Sequence, residues 1–288
     1  MARLTILGSG TPTPTPDRFG SSYVIQIGDQ RLMFDCGPAT THKLAKAGLL
    51  PTAIDYLFFT HHHFDHDVDY PCFLLSRWDQ SIGVESKLQV YGPTLTEQLT
   101  HRILDEKEGA YAHDWIARIN HPMSQQAHVD RGGTLPRVPP SVSAKDVGPG
   151  VVCSTGEWRV TAATAAHAQP WLDSLAYRIE CSEGTIVVTG DTRPCDSVTR
   201  LARGADVLVM MCWDLQSKMD GNPLGSAMSG TLDVARTARE AGARKLVLVH
   251  QCKDLAPHGP LEQAIGDITK HYGGQVIWGE EMLSIAWP

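Results

Sequence analysis

Apolar residues fall in short runs at the start of the chain: "RLTILG" (3–8), "SYVIQIG" (22–28) and "RLMFDCG" (31–37), parted by Gly- and Pro-rich segments. Runs of this length and composition predict strands, and the "GDQ" between the second and third predicts a hairpin. "ATTHKLAKAGL" (39–49) spaces its apolar residues as a helix does and carries a glycine at its end; "AIDYLFFT" (53–60) returns to strand. Beyond it, "DVDYPCFLLSRWD" (67–79) predicts a helix interrupted or started by Pro71. "SKLQVYG" (86–92) predicts a strand and "TLTEQLTHRILDE" (94–106) an amphipathic helix.

Periodicity fades over 109–150, where "GAYAHDWIARI" (109–119) is helical but "DRGGTLPRVPPSVSAKDVGPG" (130–150) reads as loop. An irregular insertion of this length in a compact domain is a candidate lid. Its His113 and His121 either reach over a site or lie on a solvated helix face. The second half repeats the opening: strands at 157–165, 174–181 and 184–191, then strand and helix alternating to residue 279. Several strands followed by alternation, twice over, predict an α/β fold with two sheets face to face and helices outside. Composition does not break along the chain, so 1–288 reads as one domain.

The 288 residues are 42% hydrophobic and 20% charged, an ordinary globular composition. Acidic side chains outnumber basic ones 32 to 25, a formal charge of −7, which counts against a polynucleotide partner. The sequence shows no signal-peptide pattern and no membrane-length apolar stretch, so a cytoplasmic protein without membrane attachment is expected. Seven scattered cysteines without a C-x-x-C read as reduced thiols.

Residues 60–66, "THHHFDH", hold 4 of the 13 histidines directly after an apolar run. If the chain stays extended there, His61 and His63 point to one side and can grip one cation, while His62 points away. Asp65 and His66 follow where the chain must turn and can face a second position. Closing a coordination sphere requires distant residues. Three metal-type residues end later apolar strands: His167 after "VTAATAA", Asp191 after "TIVVTG" and His250 after "KLVLV".

These stretches, with "FDCG" (34–37) and "TGDT" (189–192), resemble the metallo-β-lactamase superfamily. The opening "ILGSGTPTPTPDRFGSSYVIQIGDQRLMFDCG" is similar to the branch that holds ribonuclease Z and arylsulfatase-like hydrolases, and the likeness spans nearly the whole chain. The resemblance implies a four-layer αββα sandwich of two mixed sheets with a two-metal site at one edge. It implies that His61, His63 and His167 hold one metal and Asp65, His66 and His250 the other, with Asp191 bridging. Asp35 of "FDCG" would orient a ligand histidine. An all N/O donor set suits two zinc ions best, with manganese or iron compatible. A bridging water of lowered pKa would be the nucleophile, with Asp65 and Asp191 as the catalytic carboxylates. Dimers are common in the family, so a homodimer is compatible.

The chain departs from ribonuclease Z at two places. Where that branch carries a His-Glu-Ala-Thr motif and a later His-Ser-Thr motif, whose Glu and His form a pair, this chain has "ADVLVMMCWD" and "SAMSGTLDVARTA", with Met210, Met211 and Met228. Together with Trp171 and Trp213 these suggest an apolar pocket lined by Trp171, Met211, Trp213 and Met228. The competing reading is that such methionines are core residues. The expectation is therefore a hydrolase of a small aromatic or apolar ester, lactone or sulfate ester, with nucleic acid unfavoured. The alternative is a phosphodiesterase or tRNA 3′-end nuclease. "GSGTP" lacks the Gly-Lys-Ser/Thr ending of a phosphate loop and reads as a tight turn under the site. His258 is a weak candidate for a substrate contact.

Overall fold

The computed structural model describes residues 2–82 and 87–287, so Ser86, in the run 86–92, lies outside them. The opening runs form β1 (Ala2–Gly8), β2 (Ser22–Ile27) and β3 (Gln30–Phe34), followed by β4 (Tyr56–Phe58), β5 (Leu88–Gly92) and β6 (Val142–Asp146). The second half forms β7 (Gly150–Ser154), β8 (Trp158–Thr164), β9 (Leu175–Cys181), β10 (Gly184–Val188), β11 (Val207–Met211), β12 (Lys245–Val249), β13 (Gln275–Trp278) and β14 (Ser284–Trp287). One seven-stranded sheet runs β14-β1-β2-β3-β4-β5-β6 and the other β13-β12-β11-β10-β9-β8-β7. Each joins an antiparallel part to a parallel part: β3 to β6 are parallel in the first sheet, β10 to β13 in the second. Parallel neighbours need crossovers, and the helices supply them.

Those helices are α1 (Thr40–Lys46), α2 (Phe64–Asp67), α3 (Tyr70–Gln80), α4 (Thr96–Leu104), α5 (Ala112–Asn120), α6 (Pro122–Asp130), α7 (Asp196–Leu201), α8 (Gln216–Met219), α9 (Thr231–Ala241) and α10 (Pro260–Thr269). Pro71 stands in the first turn of α3, where its missing N–H costs nothing, so it starts that helix rather than interrupting it. α9 buries Val234, Ala235, Ala238 and Ala241 on one face and ends at Gly242 in the left-handed region (φ 65).

Strand parity sorts side chains into layers. Leu4, Ile6, Phe34, Phe58, Val207 and Val209 meet between the sheets, where the Phe34 and Phe58 rings stack at 4.9 Å. Leu208 and Met210 face the other way, under α9 and α10 with Leu246, Val234 and Ile268. Leu7, Met33, Leu57, Phe73 and Val90 form the matching layer under α3. Burying one such side chain contributes roughly 1.5–3 kcal/mol, so the three layers hold the sandwich together.

The stretch 109–150 is more regular than its pattern suggests: it contains α5, α6 and β6. β6 escaped notice because it is an edge strand, "VSAKD", with no fully buried position and so no apolar run. The stretch packs along the flank of the first sheet. Arg118, Arg131 and Arg137 pair with Asp79 of α3, and Asp146 accepts the backbone N–H groups of Leu95 and Glu97.

Candidate metal centre

The histidine patch begins just past the end of β4. Leu175 donates its N–H to Thr60 O (2.8 Å), fastening the first sheet to the second at this edge. His63 keeps extended backbone (φ −74, ψ 147) before the chain turns into α2. The extended stretch separates the imidazoles: His61 and His63 meet edge to face at 4.7 Å, while His62 turns away. His62 Nε2 lies 2.8 Å from Thr96 Oγ1 and its Nδ1 3.2 Å from Asp67 Oδ2, pinning the patch to α4. The helical turn of α2 then buries Asp65 and His66 together.

The second sheet brings the remaining donors. His167 stands past the end of β8, Asp191 past β10 and His250 directly after β12. Gly190 makes the close approach possible. Its φ is 58, and a Cβ there would meet Thr60 Cβ at 2.6 Å.

Two triads, His61, His63 and His167, and Asp65, His66 and His250, each have donor atoms within 4.8 Å of one another, and a third such group, His61, His66 and Asp191, joins them. In the first, His63 Nδ1 lies 3.0 Å from His61 Nε2 and 3.2 Å from His167 Nε2. In the second, His250 Nε2 is 3.1 Å from Asp65 Oδ2, and His66 Nε2 is 3.6 Å from that same oxygen. Asp191 reaches both, with Oδ2 3.8 Å from His167 Nε2 and 3.2 Å from His250 Nε2, and Oδ1 3.6 Å from His66 Nε2.

The far nitrogens of three imidazoles are held from behind. Asp35 Oδ2 lies 2.8 Å from His66 Nδ1 and also accepts the Thr60 hydroxyl at 2.9 Å. With its proton given to Asp35, Thr60 Oγ1 is free to accept His61 Nδ1–H at 3.1 Å. His167 Nδ1–H donates to Ala227 O at 2.9 Å. Thr60 and the Ala227 carbonyl escaped sequence reading, since neither is a metal-type side chain. These contacts orient each ring and fix its tautomer, the support that ligand histidines need.

Burial pushes His61 well below the ordinary histidine range, and it lowers His63 as well, so both stay neutral lone-pair donors. Burial would also depress His66, but the Asp35 and Asp191 carboxylates outweigh it and hold the ring well above that range. Burial disfavours the Asp191 anion too, yet His250 and His66 prevail and keep it well below the usual carboxylate range. The donor set fits divalent cations on these observations. In the first triad, His61 Nε2 and His167 Nε2, both left as acceptors by their Nδ1–H bonds, face the one His63 Nδ1 at 3.0 and 3.2 Å; a single N–H there cannot serve both, and a shared cation can. In the second, His66 Nε2 is buried with no hydrogen-bond partner. Imidazoles and carboxylates without sulfur suit zinc, manganese or iron.

The metallo-beta-lactamase superfamily profile matches residues 15–250, most of the chain and every donor described above. The chain belongs to the metallo-beta-lactamase superfamily. It is accordingly a metal-dependent hydrolase with an αββα sandwich. A ribonuclease Z of Mycobacterium bovis (strain BCG / Pasteur 1173P2) is 27% identical over 288 residues, covering 98% of this chain and 97% of that one. A ribonuclease Z of Mycobacterium sp. (strain KMS) is 29% identical, covering 89% and 86%. Among solved structures, the metallo-beta-lactamase fold protein YhfI from Bacillus subtilis superposes with a TM-score of 0.73 at 21% identity, covering 99% and 98%. Human tRNase Z, short form, gives 0.69 at 19% identity, covering 99% of each chain; both show the shared fold.

The relatives matched in sequence overturn the expectation of a small-molecule substrate with nucleic acid unfavoured, since those matching along most of their length are named ribonuclease Z. The structure shows where that expectation failed. Met210 and Met211 are fully buried, so they do not line a pocket and report nothing about substrate polarity. Met210 lies under α9 and α10; Met211 Sδ accepts the Thr192 N–H at 3.1 Å, behind the Asp191 turn. Net charge, likewise, is a sum over the whole chain and does not describe one edge. Trp213 and Met228 are partly buried, and Trp171 is 91% exposed. His113 and His121 are exposed and join no donor cluster among the described residues, and His258 pairs with Glu262 on the surface. No helix among the described residues is long and apolar enough to cross a membrane.

Proposed function

We propose that this chain hydrolyses a phosphodiester bond of RNA in the manner of a ribonuclease Z. One observation carries the reading: a complete N/O donor set converges at one sheet edge in a chain similar to ribonuclease Z along 98% of its length. In this reading His61, His63 and His167 hold one divalent cation, Asp65, His66 and His250 hold a second, and Asp191 lies between them. Such a pair of cations, zinc by donor chemistry, polarises the scissile phosphate and lowers the pKa of water.

The chain's own residues do the rest. Asp65 is buried, which disfavours its anion, but His250 and His66 hold it below the usual carboxylate range, so it stays ionised and orients the attacking water. Asp35 and Thr60 keep two imidazoles aimed inward. Trp171, on the loop after His167, offers a ring face on which a base can stack, and Arg193, exposed two residues past Asp191, offers a guanidinium to a backbone phosphate. Trp213, whose ring lies 5.8 Å from that of His250, and Met228 border the same edge. In this reading Met211 and Met228 stand where ribonuclease Z carries its paired Glu and His, so solvent would protonate the leaving group and turnover below that of ribonuclease Z is expected.

The test compares a precursor tRNA with a 3′ trailer, bis(p-nitrophenyl) phosphate, a carboxyl ester and a sulfate ester on metal-loaded protein. Cleavage of the RNA is expected, and Trp171→Ala should raise its KM about tenfold, the stacking contribution of one base. Turnover of the carboxyl or sulfate ester with neither phosphodiester cleaved overturns the proposal.

A further inference from the structure

His250 differs from the other buried histidines of the centre. His66 Nδ1 meets Asp35, His61 Nδ1 meets Thr60 and His167 Nδ1 meets Ala227, but His250 Nδ1 is buried without a hydrogen-bond partner. Its backbone is also unusual: φ is 58, left-handed territory that a non-glycine residue occupies only when its surroundings dictate it. Its Nε2 meets Asp65 Oδ2 at 3.1 Å on the inner side of the centre, but nothing holds Nδ1 from behind, so on that side the ring's direction depends on how the backbone is held.

One cation holds that backbone. Arg18 Nη2 donates to Gln251 O at 3.1 Å, to Ser9 O at 3.2 Å and to Gln251 Oε1. Ser9 O also accepts the N–H of His250 itself, at 2.8 Å. A single guanidinium nitrogen therefore gathers the acceptor that fixes His250 and both oxygens of the next residue. The loop carrying Arg18 is anchored in turn. Phe19 donates its N–H to Glu281, Glu281 pairs with Lys43 at 2.8 Å, and the Lys43 ammonium sits 4.7 Å from the Phe19 ring centroid. The segment after "GSGTP" is thus a brace beneath the last histidine.

We propose that Arg18 is a positioning residue that aims His250, and through it governs the affinity of the second cation without affecting the first. The inference rests on the assignment of His250 to the second cation made above. It is tested on the full-length protein by titrating metal-free samples with Co²⁺, following the visible absorption spectrum and the bound equivalents by equilibrium dialysis. Wild type is expected to bind two equivalents. Arg18→Met should bind the first equivalent as wild type does and the second at least tenfold more weakly, with an altered spectrum for that second ion. Arg18→Lys, whose ammonium carries three N–H donors, should recover part of the loss. Circular dichroism and thermal unfolding of the metal-free proteins establish that the variants fold. If Arg18→Met binds both equivalents within twofold of wild type, or if folded Arg18→Lys and Arg18→Met lose both equivalents alike, the proposal is wrong. Wild type binding only one equivalent would instead remove the assignment of His250, a different failure. Both are separate from RNA cleavage, which this measurement does not read.

Discussion

Two regions of this molecule are rich in histidine, and only one of them is a centre. Residues 61–66 with His167, Asp191 and His250 bring five imidazoles and two carboxylates together. The flank formed by α5 and α6 holds His113, His121 and His128, spread along the chain, and no donor cluster among the described residues gathers them. His113 and His121 are exposed, His121 Nδ1 accepts the Met123 N–H at the start of α6, and His128 Nε2–H donates to Thr134 O. The difference lies in what surrounds the rings rather than in how many there are. At the edge, loops from two sheets converge, and Asp35, Thr60 and the Ala227 carbonyl hold three rings from behind; on the flank each histidine serves its own turn of chain. A cation needs donors fixed within a few ångströms, which the ends of adjacent strands supply and one helical hairpin does not.

The contrast can be broken most severely at the residue that touches both triads. Asp191→Ala should cut hydrolysis by about 10³-fold or more, equivalent to about 4 kcal/mol of transition-state stabilisation. Bound metal should fall with it, measured by elemental analysis beside initial rates; full activity with two bound ions would dissolve the distinction. A milder break acts from behind. Asp35→Asn keeps shape and tolerates the φ of 59 at this position, but it withdraws the charge that His66 meets. Metal affinity should drop about 10–100-fold in a competition titration against a chromogenic chelator.

Smaller effects belong to the flank. Burial works against the Asp79 anion, yet Arg137 and Arg131 outweigh it and keep the carboxyl below its usual range. A depressed carboxyl contributes stability that is present above the unfolded value, about 3.9, and is lost as pH falls through the lower folded value. Because solvent screens this partly exposed cluster, Asp79→Asn should cost about 1 kcal/mol at pH 7 and lower Tm by about 2–4 °C. That gap from wild type should narrow in thermal melts near pH 3, with metal content unchanged throughout. Smallest of all, His113→Ala should leave bound metal as in wild type and move stability by less than about 0.5 kcal/mol, read in the same melts. Loss of a metal equivalent in that variant would draw the flank into the centre.

Much of the centre was legible because it is local or marked. "THHHFDH" is contiguous, and Asp191 and His250 each interrupt polarity after an apolar strand, a signal that survives without neighbours. Thr60 gave none, since its value lies in passing Asp35's hydrogen bond on to His61. β6 gave none because an edge strand needs no apolar run. The methionines misled for a related reason. All five residues of β11 are buried, so its pattern cannot say which side faces the helices and which the site.

Residue order alone therefore carries the strand and helix alternation, the candidate donors and the opposite directions of His61 and His62, because these are marked by contiguous motifs and by polar residues at strand ends. Folding decides which strand ends meet, which methionines are hidden and what braces His250. Those depend on the register of two sheets and on contacts such as Arg18 to Gln251, made between residues 233 positions apart in the chain.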